Sequence, residues 1–142
     1  ANAQPIDVPA SLRDVRDLVV AGRIRDAIAA LDELVDNPDA PLFRARLLAL
    51  DGQYDRASSA FASIDSDEAK LGLARVTIDR GKPEVALAIV DELVATHPRD
   101  LGVLEVRARC LELLGRGDEA NEAMKALVAA VEVASPERPL RP

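Results

Sequence analysis

Four glycines, Gly22, Gly52, Gly81 and Gly115, each separate two stretches whose apolar residues recur at helical spacing. Five positions after each comes an alanine: Ala27, Ala57, Ala86 and Ala120. Nine positions after stands a larger apolar residue, Leu31, Phe61, Val90 or Met124, and twelve after another, Leu34, Ile64, Leu93 or Leu127. The count works equally well backward. Seven positions before the glycines lie Val15, Ala45, Ala74 and Ala108, and four before lie Leu18, Leu48, Thr77 and Leu111. Successive glycines are 30, 29 and 34 residues apart. A helix–turn–helix unit of that length cannot cover its own apolar face, so it must stack on its neighbours. The expected fold is therefore all-α, an array of antiparallel helix pairs with about eight helices.

Local punctuation sets the expected helix ends. Ser11-Leu12-Arg13-Asp14 has the form of a capping box, and Ser66 precedes Asp67 and Glu68 in a first turn. Pro83 falls where a missing N–H costs nothing, and Pro38, Pro98 and Pro136 mark stops. These signals predict helices over 10–21, 24–36, 40–50, 54–63, 67–80, 83–96, 101–114 and 117–133.

The segments from Gly22 to Ala27, Gly52 to Ala57 and Gly115 to Ala120 resemble the central turn of tetratricopeptide repeats. The resemblance covers roughly residues 8–133, about four repeats. The third and fourth units are joined at that family's usual 34-residue period, with Pro98 in its closing proline position. The first two connections are four to five residues shorter, and the large aromatics usual in first helices are missing. The resemblance implies a right-handed superhelical array whose first helices line a concave groove, and a role in binding proteins or peptides. It also implies units at about 10–37, 38–65, 66–99 and 100–133, after a flexible segment 1–9 and before a Pro-rich tail or linker, 134–142.

Composition narrows the chemistry. The chain is 49% hydrophobic but only 2% aromatic, so its core must be built from Ala, Leu, Val and Ile. A net charge of −7 and few aromatics supply neither the basic surface nor the stacking platforms of a nucleic-acid binder. No apolar run approaches the roughly 18–20 residues of a membrane-inserted helix. Cys110 is the only cysteine and lies in an apolar stretch, which favours a small core residue over a nucleophile. His97 precedes Pro98 and reads as helix-end punctuation. One His and one Cys make no ordinary zinc site. There is no Gly-rich phosphate loop and no nucleophile–base set. The expectation is a non-enzyme without cofactor or metal. The start at Ala1 and the Pro-rich end read as a domain excised from a larger chain.

Six residues before each turn glycine stands an arginine: Arg16, Arg46, Arg75 and Arg109. In the geometry that the resemblance implies, this column faces the groove, where guanidinium groups would suit carboxylates. Arg75 and Arg109 have carboxylates at helical spacing (Asp79; Glu105 and Glu112) and are expected to pair within their own helices. Arg16 and Arg46 have apolar neighbours and are expected to capture a ligand, with Leu12, Leu42 and Leu71 giving apolar contact. Against this stands the reading that the arginines simply bridge to acids on the adjacent repeat, their stems packed on apolar surface. The acids of the second helices, Asp32, Glu33, Asp36, Asp91, Glu92, Glu119 and Glu122, are expected to be a solvated outer face.

Two other functions fit. The last helix runs apolar through Leu127, Val128, Ala129, Ala130, Val131 and Val133, so the array could self-assemble into a homo-oligomer. The compressed second unit also looks like arrays that accompany a thioredoxin-like domain in chaperone-type proteins, which would make this the repeat domain of a larger protein.

Overall fold

The computed structural model describes residues 11–134, and among them are eight helices and no strand. They are α1 (Leu12–Val20), α2 (Ile24–Asp32), α3 (Ala40–Leu50), α4 (Tyr54–Ala62), α5 (Asp67–Asp79), α6 (Pro83–Thr96), α7 (Leu101–Leu113) and α8 (Gly117–Ala134). The chain divides into two compact units, Ala1–Ile64 with α1–α4 and Asp65–Pro142 with α5–α8. Within the first, α1 packs on α2, α2 on α3 and α3 on α4. Within the second, α7 packs on α5, α6 and α8, and α5 also packs on α6. The segment 1–9 and the tail, apart from Ala134 at the end of α8, lie outside the described residues.

The four turn glycines do one identical job. Each has φ between 72° and 81°, the left-handed region that a side chain disfavours. The Gly81 N–H donates to the Ile78 carbonyl (2.9 Å) and the next N–H, of Lys82, donates to the Thr77 carbonyl (3.0 Å). The same two bonds recur at Gly22, Gly52 and Gly115, so each first helix ends in a Schellman motif. The column four residues before the glycine supplies the carbonyl of the longer bond: Leu18, Leu48, Thr77 and Leu111. A Cβ built on Gly81 meets nothing within 4 Å, so a substitution there acts through conformation alone. Gly81→Ala should cost roughly 1–2 kcal/mol. Gly81→Asn should cost less, because Asn tolerates this region. Denaturant titration of both variants tests the order.

Starts are fixed by side chains. Ser11, Ser66 and Asp100 accept from the N–H groups of Asp14, Ala69 and Val103 at 3.4, 3.1 and 3.0 Å. Pro41 and Pro83 occupy first-turn positions of α3 and α6. The helix bounds follow the predicted ones within two residues, with one exception. α2 was expected to run to 36 but stops at Asp32. Beyond it the N–H groups of Glu33 and Leu34 reach back only three residues, to Ala30 and Leu31, and Asn37 bonds Leu34. Pro38 keeps Asn37, at the end of these turns, out of the helical region. Val35 is left 81% exposed.

The small-residue columns are the floor of the core. Val15, Ala45, Ala74 and Ala108 on the first helices are buried, as are Ala27, Ala57, Ala86 and Ala120 on the second. With no bulk at these positions, paired helices can approach closely. Larger side chains fill the flanks, with Leu48, Val76, Val90 and Leu111 fully enclosed. Cys110 is enclosed with them, and burial pushes its thiol above the usual range, which keeps the sulfur protonated. One member of the apolar columns departs: Met124, the counterpart of Leu31, Phe61 and Val90, is 40% exposed. Val90 owes its burial to a core shared with Val103 and Val106 of α7, and no described helix follows α8.

Candidate functional site

The arginine column occupies one exposed position on each first helix: Arg16 on α1, Arg46 on α3, Arg75 on α5 and Arg109 on α7. The two units treat it differently.

In the second unit the arginines pair across helices, not within them. Arg75 Nη1 lies 3.7 Å from Glu105 Oε1 of α7, and Arg109 Nη2 lies 3.9 Å from Asp79 Oδ1 of α5. This corrects the same-helix pairing expected from spacing. The reason is the order of charges on two helices lying side by side. α5 carries Arg75 then Asp79 and α7 carries Glu105 then Arg109, so each residue meets its opposite across the boundary. The reading in which arginines bridge to the adjacent repeat therefore describes this half of the column. These groups are about half exposed, which makes such bridges weak and exchangeable. Beneath them a Cβ on Gly102 would sit 3.0 Å from Leu71 Cδ2 and 3.1 Å from Arg75 Nη2. The bare glycine lets both side chains lie on the first turn of α7. Leu71 is thus half-buried against the core.

In the first unit the Arg16 guanidinium carbon stands 6.0 Å from the centroid of the Phe43 ring, at the outer range of a cation–π contact. Its neighbourhood is aromatic as well as aliphatic. Arg46 is exposed on α3, and Leu12 and Leu42 are half-buried. The structure brings Arg75 and Leu71 together at Gly102, pairs Arg109 of α7 with Asp79 of α5, and places Arg16 of α1 over Phe43 of α3.

Sequence reasoning missed a second set of charges. Arg44 Nε donates to Asp32 Oδ1 (2.7 Å), tying α3 to α2, and Arg107 Nε donates to Asp91 Oδ1 (2.8 Å), tying α7 to α6. Both arginines stand eight residues before a turn glycine and both acids ten after the preceding one. Asp32 and Asp91, expected on a solvated face, are exposed there and also tie their helices to the following one. Arg116 and Lys125 likewise pair with Glu119 and Glu122 along α8. A column search for opposite charges would have found the Arg44 and Arg107 pairs.

Two carboxyls are held below the ordinary range. For Asp51 the main cause is the hydrogen bond from Gln53 (2.7 Å), followed by Arg25 of α2 at 3.2 Å. For Asp67 it is the bond to His97 Nε2 (2.7 Å), which joins the start of α5 to the residue capping α6. His97 is therefore more than punctuation. A lowered carboxyl contributes stability above its unfolded value of about 3.9 and loses it as pH falls through the folded value. Asp67→Asn should therefore be less stable than the parent at pH 7, with the difference shrinking as pH falls below about 3.9. Thermal melts across that range check the convergence.

Among the described residues, no group of three or more His, Cys, Asp and Glu side chains is placed to hold a metal ion. None of the described helices is long and apolar enough to cross a membrane.

Known structures share this arrangement. A crystal structure of MamA protein superposes with a TM-score of 0.72 at 18% identity, covering 92% of this chain and 77% of that one. MamA from Desulfovibrio magneticus RS-1, residues 41 to the end, gives 0.71 at 19%, covering 84% and 72%. YrrB, described as a TPR protein with an unusual peptide-binding site, gives 0.61 at 19%, covering 93% and 71%. At these identities the likeness shows the fold. No curated protein matches the sequence. The tetratricopeptide repeat family model, however, matches residues 12–69 and 71–138, most of the chain. With four Schellman turns at the repeat glycines, eight paired helices and that match, the chain belongs to the tetratricopeptide repeat family.

Proposed function

We propose that this chain is a protein-interaction scaffold that binds an acidic segment with apolar side chains through its first helices. The observation that carries the reading is the arginine column, present and exposed on α1, α3, α5 and α7. A guanidinium offers a planar fork to a carboxylate, and each unit carries two of them at the same repeat position. Arg16 supplies the first contact, with Leu12 and Leu42 beside it, in the unit where it stands over Phe43, and Arg46 follows in the column. Arg75 and Arg109 are engaged by Glu105 and Asp79, so ligand carboxylates must displace those acids. Leu71 and the Arg75 guanidinium both lie against Gly102, so Leu71 is half-buried rather than bare. The binding region is the repeat array, 10–133. YrrB, of similar fold, has a peptide-binding site, which favours the same class of ligand here.

The test is a peptide array screened with the parent chain, then titration of the best acidic peptide against Arg16→Glu/Arg46→Glu. Selection of acidic over basic peptides is expected, with affinity falling at least about tenfold in the variant and with rising salt. Equal affinity of parent and variant sinks the reading.

A further inference from the structure

The first and the last described helices present different faces. On α1, Arg13 and Asp17 occupy the repeat positions that on α7 hold the buried Val106 and Cys110, nine and five residues before the turn glycine. α1 thus turns a polar face to the side that α7 buries. α8 has no such face. Its Met124, Val128 and Val131 are 40%, 51% and 45% exposed and form one stripe at a spacing of four and three residues. The counterparts of Met124 and Val128 on α6, Val90 and Val94, belong to or pack against the core shared with α7.

Another first helix of this chain's own type does not fit the stripe. α2 and α6 receive α3 and α7 with an acid, Asp32 or Asp91, that takes an arginine. At that position, ten after the turn glycine, α8 carries Lys125. The register charge is inverted. Asp14 of α1 carries the charge opposite to Lys125 and would pair with it, but Arg13 and Asp17 beside it would set charges against Met124 and Val128.

The stripe is instead complementary to itself. Lys125 stands three residues before Val128 and Glu132 four after, two helical turns apart on the same edge of one shallow apolar surface. When two copies of α8 run antiparallel about a two-fold axis near Val128, each Lys125 falls beside the partner's Glu132. A parallel pair brings like ends together. We propose that α8 is a self-association surface, pairing isologously and antiparallel with α8 of a second copy. Its apolar centre is Val128 with Met124 and Val131, and its orientation is set by Lys125 and Glu132. Lys125 now bonds Glu122 of its own helix at 3.2 Å, and both side chains are about three-quarters exposed, so the exchange costs little. An 18-residue helix about 27 Å long buries less than a standard interface, so the dimer must dissociate on dilution. This inference stands apart from the proposed use of the first helices.

Sedimentation velocity over a concentration series tests it. The parent should pass from monomer to dimer and no further. Lys125→Glu and Glu132→Lys should each weaken the dimer by about tenfold or more. An equimolar mixture of the two variants should restore it, because the mixed pair again places opposite charges at both ends. Val128→Glu should abolish it while circular dichroism still shows folded helix. A monomer at every concentration overturns the proposal, as does a mixture that fails to regain the dimer. Open-ended growth sensitive to Asp14→Lys also overturns it, and shows head-to-tail stacking instead.

Discussion

Leu111→Ala should lower the unfolding free energy by about 3 kcal/mol, within the range for emptying a fully enclosed leucine site. Leu111 on α7 is 1% exposed and lies among Ala74, Ala86, Val90, Cys110 and Ala120. It also supplies the carbonyl that receives the Arg116 N–H in the last Schellman turn, so its backbone is fixed while its side chain fills the core. The surrounding helices are held at their turns and cannot collapse into the space. Leu113, two residues on, faces outward and is 56% exposed, so Leu113→Ala should change stability by less than about 1 kcal/mol. Urea titration of the pair separates the account from one in which α7 is loosely packed.

The second large effect comes from adding atoms. Ala86→Leu should cost about 3 kcal/mol or more, because Ala86 is completely buried on the face that α6 turns to its partners. Nothing about alanine at this site is passive, since the missing bulk is what lets α6 approach α5. Ala88, two residues away and exposed, is the control: Ala88→Leu should be nearly neutral. If Ala86→Leu is also neutral, the small-residue column is not a packing device.

The same contrast explains what could be read from the sequence. Turn glycines, caps and small columns are local, and each repeats four times at a fixed distance from Gly22, Gly52, Gly81 and Gly115, so the helix pairs were legible. Charge pairing was legible only in part. Arg75 was assigned to Asp79 because i,i+4 is the only distance a single helix reveals, whereas the structure gives Arg75 to Glu105 and Asp79 to Arg109. Which helices lie side by side is a tertiary fact. Arg44 with Asp32 and Arg107 with Asp91 were missed for the same reason, although their shared column offered a signal. The expected end of α2 at 36 failed because the chain changes after Asp32 to three-residue bonds, which apolar periodicity does not reveal. Met124 fitted its column and is nevertheless exposed, because burial depends on a following helix and not on the residue itself.

The central claim, that the first helices bind an acidic segment, is tested most directly by NMR titration with the peptide selected from the array. The side-chain Nε–H signals of Arg16, Arg46, Arg75 and Arg109 should shift together and saturate at one affinity, with amides of α1 and α3 following. Shifts confined to α2, α4 and α6, with the four arginine signals unmoved at saturation, would contradict it.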